Sequence, residues 1–242
     1  MFKNLGRVRR AGLALVLIAL SGCILQRADI TPEGQLEVFG PSSGFNLRDL
    51  PGDWINVGLD ENNLDKHLEI VSVDASPAMK VTPAPKDFFF LRRVNAGLLA
   101  SPFLGWSWTR SPGAKEPSKV SLLVGFYGGN PTSRSWGGEF FAFLGQKIPP
   151  HDRLVILNWG GETEQAGSVD KEPRSARMIV RSIRNSSGDW YEENVDIGRV
   201  YRDAWPKDDH ADAKIMFVGF VAIADGGTAP SPLQFSDVVL YR

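Results

Sequence analysis

The chain has 242 residues, of which 43% are apolar and 23% charged, with 27 basic against 28 acidic side chains. This composition is typical of a globular protein and excludes general disorder, and a net charge of −1 argues against nucleic acid as a partner. The single cysteine excludes an intrachain disulfide framework and any metal site built from cysteines.

The N-terminal residues have the pattern of a targeting segment. An apolar run at residues 11–20 follows four basic side chains, Lys3, Arg7, Arg9 and Arg10. A basic head followed by a short apolar run is typical of a secretory signal peptide. The run is too short for a membrane-spanning helix, which needs about 20 apolar residues. We therefore expect residues 1–22 to be a leader that is removed on export.

The only cysteine follows this run directly. Leu20-Ser21-Gly22-Cys23 resembles the bacterial lipobox, which implies that Cys23 is lipidated, becomes the mature N-terminus and anchors the protein in a membrane. The residue after it is Ile24 rather than Asp, and by the sorting pattern of such lipoproteins this favours the outer membrane, facing the periplasm. The alternative is an ordinary signal peptide with an unrelated cysteine nearby.

Removing the leader changes the charge of the protein. Residues 1–22 hold four of the basic side chains and no acidic ones, so the net charge of −1 becomes −5 in the mature chain. A mildly acidic domain is a poor partner for anionic lipid or nucleic acid. No other apolar run is long enough to span a bilayer.

The mature chain reads as a tether followed by one β-rich domain. Residues 23–45 are polar and turn-rich, and residues 46–242 alternate short β-type runs with clusters of Gly, Pro, Asn and Asp. We predict a single, mainly antiparallel β-sandwich of jelly-roll type. The predicted strands are 36–39, 68–73, 88–94, 98–109, 119–127, 139–144, 153–158, 176–184, 190–197, 215–224 and 235–241. A short helix is predicted at 199–205, with Asp196 as its cap and Pro206 after its end.

Several stretches resemble an uncharacterised bacterial family of secreted β-proteins, the DUF3047 family. They are Gly105-Trp106-Ser107-Trp108, the run at 119–127, and the C-terminal stretches 190–201, 223–228 and 235–240. The acidic run of that family is reduced here to Asp225, followed by two glycines. The resemblance implies a secreted β-fold, and it makes Asp225 a candidate ligand-binding residue. The closing strand 235–240 is also similar to the last strand of jelly-roll carbohydrate-binding modules.

Aromatic side chains supply the other candidate ligand-binding residues. Trp106 and Trp108 lie two apart on a predicted strand and so share a face. They form either a stacking platform for sugar rings or a layer of the core, and the core is the more usual use of buried tryptophan. Tyr127, Trp136 and Trp159 lie next to glycine-rich turns. We expect these three to be exposed, which makes them the better candidates for binding a ligand.

Catalytic and metal-binding patterns are weak. The sequence contains no nucleophile elbow, phosphate loop or dinucleotide fingerprint, so we expect no cofactor. The run Asp208-Asp209-His210-Ala211-Asp212 could offer carboxylates to a hard cation, but it lacks the pattern of a calcium loop and reads as a solvated turn, so we expect no metal. Two small basic clusters, one of them Arg92-Arg93, could contact anionic polymers or lie on a solvated sheet face.

These observations favour a cell-envelope lipoprotein with a non-catalytic domain that binds a glycan or another polar polymer. One alternative is a polysaccharide hydrolase using two carboxylates. The acidic residues that flank the aromatic loops would be its candidates, namely Glu139, Asp152, Glu162 and Glu164. The other alternative is a structural subunit of an envelope complex, which would expose a large apolar patch.

Overall fold

The structure, a computed structural model, describes residues 31, 33–40, 46–73, 75–110, 119–131, 148–159, 169–171, 178–183, 189–224 and 231–242. These residues form thirteen strands and two short helices. The strands are β1 (Leu36–Phe39), β2 (Trp54–Val57), β3 (Leu68–Val73), β4 (Ser76–Val81), β5 (Phe88–Gly97), β6 (Phe103–Arg110), β7 (Val120–Tyr127), β8 (Arg153–Trp159), β9 (Val169–Lys171), β10 (Met178–Ile183), β11 (Tyr191–Asp196), β12 (Lys214–Ala222) and β13 (Leu233–Tyr241). The helices are α1 (Leu64–His67), which follows a 3-10 turn at Glu61–Asn63, and α2 (Ile197–Ala204).

The strands make two sheets. The six-stranded sheet has the order β11-β6-β13-β4-β3, with β1 also paired to β13. The seven-stranded sheet has the order β2-β5-β12-β7-β8-β10-β9. Of the described strand pairs, only β8 and β10 run parallel. The predicted all-β, jelly-roll-like sandwich is therefore confirmed.

The main core lies between the two sheets. Alternate residues of the facing strands point inward, as the two-residue period of a strand requires. Phe220 of β12 and Phe235 of β13 meet across the sheets with ring centroids 4.6 Å apart. Both faces of β12 are apolar, as expected for a strand in the middle of its sheet. Neither of the helices in the described ranges is long and apolar enough to cross a bilayer.

The predicted strands match the observed ones best where the apolar run is long. The strand predicted at 98–109 is wrong over its first residues, because these form the turn between β5 and β6. In that turn the amides of Ala100 and Ser101 both donate to the carbonyl of Gly97, at 3.0 Å each. Sequence reasoning missed the short strands β2, β4 and β9. The strand predicted at 139–144 lies outside the described residues.

Two local predictions hold. Helix α2 begins after Asp196, whose carboxylate accepts a hydrogen bond from the amide of Arg199 at 2.7 Å, and the chain reaches Pro206 two residues after the helix ends. Strand β1 forms as predicted, and within the predicted tether it pairs with β13, with Leu36 fully buried.

Candidate functional site

Three of the tryptophans that we named as candidate ligand-binding residues form a layer of the core. Trp106, Trp108 and Trp159 are 3%, 0% and 0% exposed. The ring of Trp159 on the seven-stranded sheet lies 6.3 Å from Trp106 and 5.3 Å from Trp108 on the six-stranded sheet. The geometry of Trp106 and Trp108 agrees with the core layer rather than with a stacking platform.

Trp159 corrects an expectation about exposure. It is the last residue of β8 and alternates with Val155 and Leu157, which also point into the core. The alternation of the strand therefore sets the direction of the ring, and the glycines that follow Trp159 in the sequence were a poor guide to its exposure. Tyr127, at the end of β7, is half-buried. Trp136, Asp225 and Cys23 lie outside the described residues, so their predicted roles stay predictions.

The acidic run that we considered for a metal is tied into the fold. Asp208 is buried and accepts two hydrogen bonds from Arg153, at 2.7 and 2.9 Å, and one from the hydroxyl of Tyr201 at 2.9 Å. Burial and then the Asp208 carboxylate raise the pKa of Tyr201, so its phenol stays protonated and donates. The carboxylate of Asp209 accepts a hydrogen bond from the amide of Ala211. Asp208 and Asp209 are therefore each held by groups of the protein itself.

No group of three or more His, Cys, Asp or Glu side chains that could hold a metal ion occurs in the described part of the chain.

Arg92, which the sequence placed in a basic cluster, has a structural role. Its guanidinium pairs with Asp53 at 2.7 Å and donates to the carbonyls of Glu37 and Val38, at 2.7 and 2.9 Å. It therefore joins β5 to β1 across the edge of the sandwich, rather than forming a basic patch with Arg93.

The outer face of the seven-stranded sheet is largely apolar. Its side chains form a second buried cluster that includes Phe89, Leu91, Leu123, Leu154 and Phe217. Strands β2, β5, β7, β8 and β12 contain no Asp or Glu. A pair of catalytic carboxylates therefore cannot come from these five strands.

Two other acidic side chains accept hydrogen bonds within the fold. Asp152 is buried and accepts a hydrogen bond from the amide of Gly128 at 3.0 Å. Glu193 on β11 accepts a hydrogen bond from the indole of Trp108 at 3.4 Å. Glu139, Glu162 and Glu164 lie outside the described residues.

The outer face of the six-stranded sheet combines aromatic and polar side chains. On β6, Leu104, Trp106 and Trp108 point into the core, so Phe103, Gly105 and Ser107 point outward. On β13 a bulge lies between Ser236 and Val239. After it, Val238 and Leu240 point into the core, so Tyr241 points outward and lies opposite Phe103. On β11, Glu192, Asn194 and Asp196 lie opposite Ser107, Gly105 and Phe103. We call this surface the aromatic strip and define it as Phe103, Gly105, Ser107, Trp190, Glu192, Asn194 and Tyr241.

The ring of Tyr241 lies close to the backbone of β6 at Gly105. Phe103 and Tyr241 are stacked, with centroids 5.6 Å apart and ring planes 27° apart. A methyl group added to Gly105 would lie only 3.2 Å from the Tyr241 ring. The absence of a side chain at Gly105 therefore allows the ring to lie close to the sheet. Both rings are partly exposed.

The opposite end of the strip carries a third aromatic residue. Trp190 directly precedes β11 and is 36% exposed. Strand alternation places it on the face of Glu192 and Asn194, which are also exposed. At about 3.4 Å per residue, Trp190 and the row of Phe103 are about 20 Å apart along the sheet. The strip thus has aromatic ends and a polar centre.

This surface was missed by sequence reasoning for a specific reason. The spacing of the tryptophans on the predicted strand indicated Trp106 and Trp108 as candidates, and these residues point inward from β6. Phe103 and Tyr241 lie far apart in the chain and meet only through the pairing of β6 with β13. The signal that was available is Gly105, a glycine within a strand, which marks a close approach by another group.

No family model matches the chain, and no curated protein matches it. Solved structures with some likeness include a family 12 xyloglucanase from Bacillus licheniformis, at 10% identity and TM-score 0.40, covering 90% of this chain and 98% of that one. Another is a cellulase derived from that of Rhodothermus marinus, at 14% identity and TM-score 0.40, covering 79% and 93%. A third is the xyloglucanase domain of a type three effector from Sinorhizobium fredii in complex with cellobiose, at 11% identity and TM-score 0.34, covering 72% and 90%. At these scores the likeness assigns neither a family nor an activity to this chain.

Proposed function

We propose that this protein is a lipid-anchored protein of the bacterial cell envelope whose β-sandwich binds a neutral glycan on the aromatic strip without cleaving it. The observation that carries the binding proposal is the Tyr241 ring, which lies over Gly105 and against Phe103. An exposed aromatic ring presents a π-face, and the C–H face of a sugar ring packs against such a surface.

The polar centre of the strip supports a glycan rather than an apolar ligand. Glu192 and Asn194 are exposed and provide hydrogen-bond acceptors, and Asn194 also provides donors. Sugar hydroxyls need both. The carboxylate of Glu192, together with the net acidic charge of the mature chain, disfavours an anionic polymer. A neutral polysaccharide therefore fits the strip best.

Binding is tested by pull-down of the full chain, solubilised in detergent, on two insoluble neutral polysaccharides, cellulose and chitin. We expect retention on at least one polymer with no release of reducing sugar. Tyr241→Ala and Trp190→Ala should each weaken binding about three- to tenfold, because each loses one stacked ring. Tyr241→Phe should bind like the parent because it keeps the ring.

Gly105→Ala tests whether the position of the Tyr241 ring matters for binding, because it leaves the ring itself unchanged. The added methyl group pushes against the Tyr241 ring without removing it, so we expect weaker binding in a protein that remains folded. Ile223→Ala changes an exposed apolar side chain at the end of β12, outside the strip, and serves as the matched control. Unchanged binding in the Trp190→Ala/Tyr241→Ala double variant would refute the site, and no retention on any polymer would refute the function.

The membrane anchor rests on Leu20-Ser21-Gly22-Cys23. A single acyl chain holds a protein only weakly, and further chains make the attachment firm. Mass spectrometry of the N-terminal peptide should show Cys23 carrying acyl groups, and Cys23→Ser should move the protein from the membrane fraction to the soluble fraction. A Cys23→Ser variant that stays in the membrane fraction would show that another segment attaches the protein.

A further inference from the structure

Strand β3 forms an edge of the six-stranded sheet, and within the described ranges it pairs only with β4. Its pairing with β4 runs without a break from Leu68 to Val73, so the strand has no bulge. Natural edge strands usually carry proline, lysine or a bulge, which discourages pairing with another chain. Strand β3 contains no proline, lysine or bulge. Its one charged residue, Glu69, is paired with Lys80 of β4 at 3.0 Å.

The direction of the backbone groups follows from one hydrogen bond. The amide of Thr82 donates to the carbonyl of His67 at 2.8 Å, which makes these two residues a hydrogen-bonded pair of the antiparallel ladder. Such pairs alternate with non-bonded pairs. Residues 69, 71 and 73 therefore bond to β4, and residues 68, 70 and 72 direct their N–H and C=O groups away from it.

The outward groups of two residues have no partner among the described residues. The amide of Leu68 is used by helix α1, since it donates to the carbonyl of Leu64. Ile70 and Ser72 thus each present an N–H and a C=O to the open edge. The side chain of Ile70 is also 39% exposed, which leaves a large apolar group at this edge.

We infer that β3 pairs with β3 of a second copy of this chain, antiparallel, about a two-fold axis that passes between the two Val71 residues. In this register Ile70 lies opposite Ser72 of the second copy, and the reverse, so all their outward groups join in four main-chain hydrogen bonds. Glu69 lies opposite Val73, so no like charges are directly opposed. The two six-stranded sheets then form one continuous sheet.

A second copy fits this edge because the edge is self-complementary. The two-fold axis stands perpendicular to the sheet, so equivalent residues of both copies lie on the same face and each outward donor meets an acceptor. A pair of six-residue strands buries less than the roughly 1,200 Å² of a standard interface. The association is therefore weak and depends on local concentration. This inference does not rest on the proposed glycan site.

Cysteine cross-linking tests the register. In the proposed pair the two Val71 residues form a non-bonded pair with Cα atoms about 4.5 Å apart, which is within the range of a disulfide. Two Glu69 residues would be about 14 Å apart, since they are offset by four residues along the strands and by one strand spacing across them. Glu69→Cys is therefore the matched control on the same face of the same strand.

The experiment uses the full chain, purified in detergent and treated with a mild oxidant over a range of protein concentrations. The parent chain, whose only cysteine is Cys23, sets the background. We expect a disulfide-linked dimer from Val71→Cys and none above background from Glu69→Cys. The double variant Glu69→Cys/Val73→Cys should dimerise again, because residues 69 and 73 of different copies lie opposite each other.

A proline variant tests the backbone pairing. Ser72→Pro removes an outward N–H without removing a bond to β4, so in the Val71→Cys background it should abolish the dimer band. Ser72→Ala keeps the N–H and should preserve the band, and thermal unfolding of both variants shows that the domain remains folded. Absence of a dimer from Val71→Cys, an equal yield from Glu69→Cys, or a Ser72→Pro variant that is folded and still dimerises would overturn the proposal.

Discussion

Arg153 and Asp208, 55 residues apart in the chain, form a buried two-point ion pair with distances of 2.7 and 2.9 Å. The pair joins the first residue of β8 to the segment that follows α2. The Arg153 guanidinium also lies 5.3 Å from the centre of the Trp205 ring. Charge and aromatic contact thus hold the segment after α2 against the seven-stranded sheet.

Removing Asp208 should be strongly destabilising. In Asp208→Ala the guanidinium of Arg153 stays buried without its carboxylate, and the hydroxyl of Tyr201 loses its acceptor. We expect the free energy of unfolding to fall by about 3–5 kcal/mol, measured by urea denaturation. Glu69→Ala, at the exposed pair with Lys80, should cost at most about 1 kcal/mol. Equal losses in the two variants would contradict the structural role assigned to Asp208.

The tryptophans should separate into core and surface residues. Trp159→Ala leaves a cavity between Trp106, Trp108 and Phe235. Such a change costs about 3–5 kcal/mol.

Trp190→Ala removes an exposed ring and should change stability by no more than about 0.5 kcal/mol. Urea denaturation of both variants, together with the glycan pull-down, tests whether Trp159 belongs to the core and Trp190 to the surface. A stable Trp159→Ala variant that has lost glycan binding would contradict this assignment.

His151 should make the domain less stable at mildly acidic pH. Burial lowers the pKa of this imidazole, partly opposed by its contact with the Pro149 carbonyl at 2.9 Å and by the charge of Asp152. The ring lies edge-on to Phe217 at 5.3 Å. Because the unfolded chain takes up the proton near pH 6.5 and the folded chain resists it, stability falls as the pH drops below that value.

The measurement compares unfolding free energies at several pH values below and above neutrality. His151→Gln should lose less stability than the parent between neutral and mildly acidic pH, because it removes the titrating group. The same substitution at His67 is the control for a general effect of losing a histidine. An unchanged pH profile in His151→Gln would show that other groups set the acid sensitivity.

Long apolar runs and local caps could be predicted from the sequence because they depend on neighbouring residues. Strand β3 has the predicted bounds, and Asp196 caps α2 as expected. Short strands such as β2 and β4 were missed, since β2 has only four residues and β4 contains Pro77, which argues against a strand within a sheet. They form because β2 pairs with β5, and β4 with β3 and β13. Pairing partners distant in sequence supply the stabilisation that the local pattern does not show.

The candidate site shows the same division. The sequence by itself determined the charge balance of the chain, the basic and apolar pattern that precedes Cys23 and the β-rich character of the rest, because composition, charge and short-range periodicity are local properties. Only the tertiary structure decided which aromatic rings are buried. Trp159 points into the core, and Tyr241 reaches Phe103 over Gly105, because strand register selects the face of each residue and brings together positions that the chain keeps far apart.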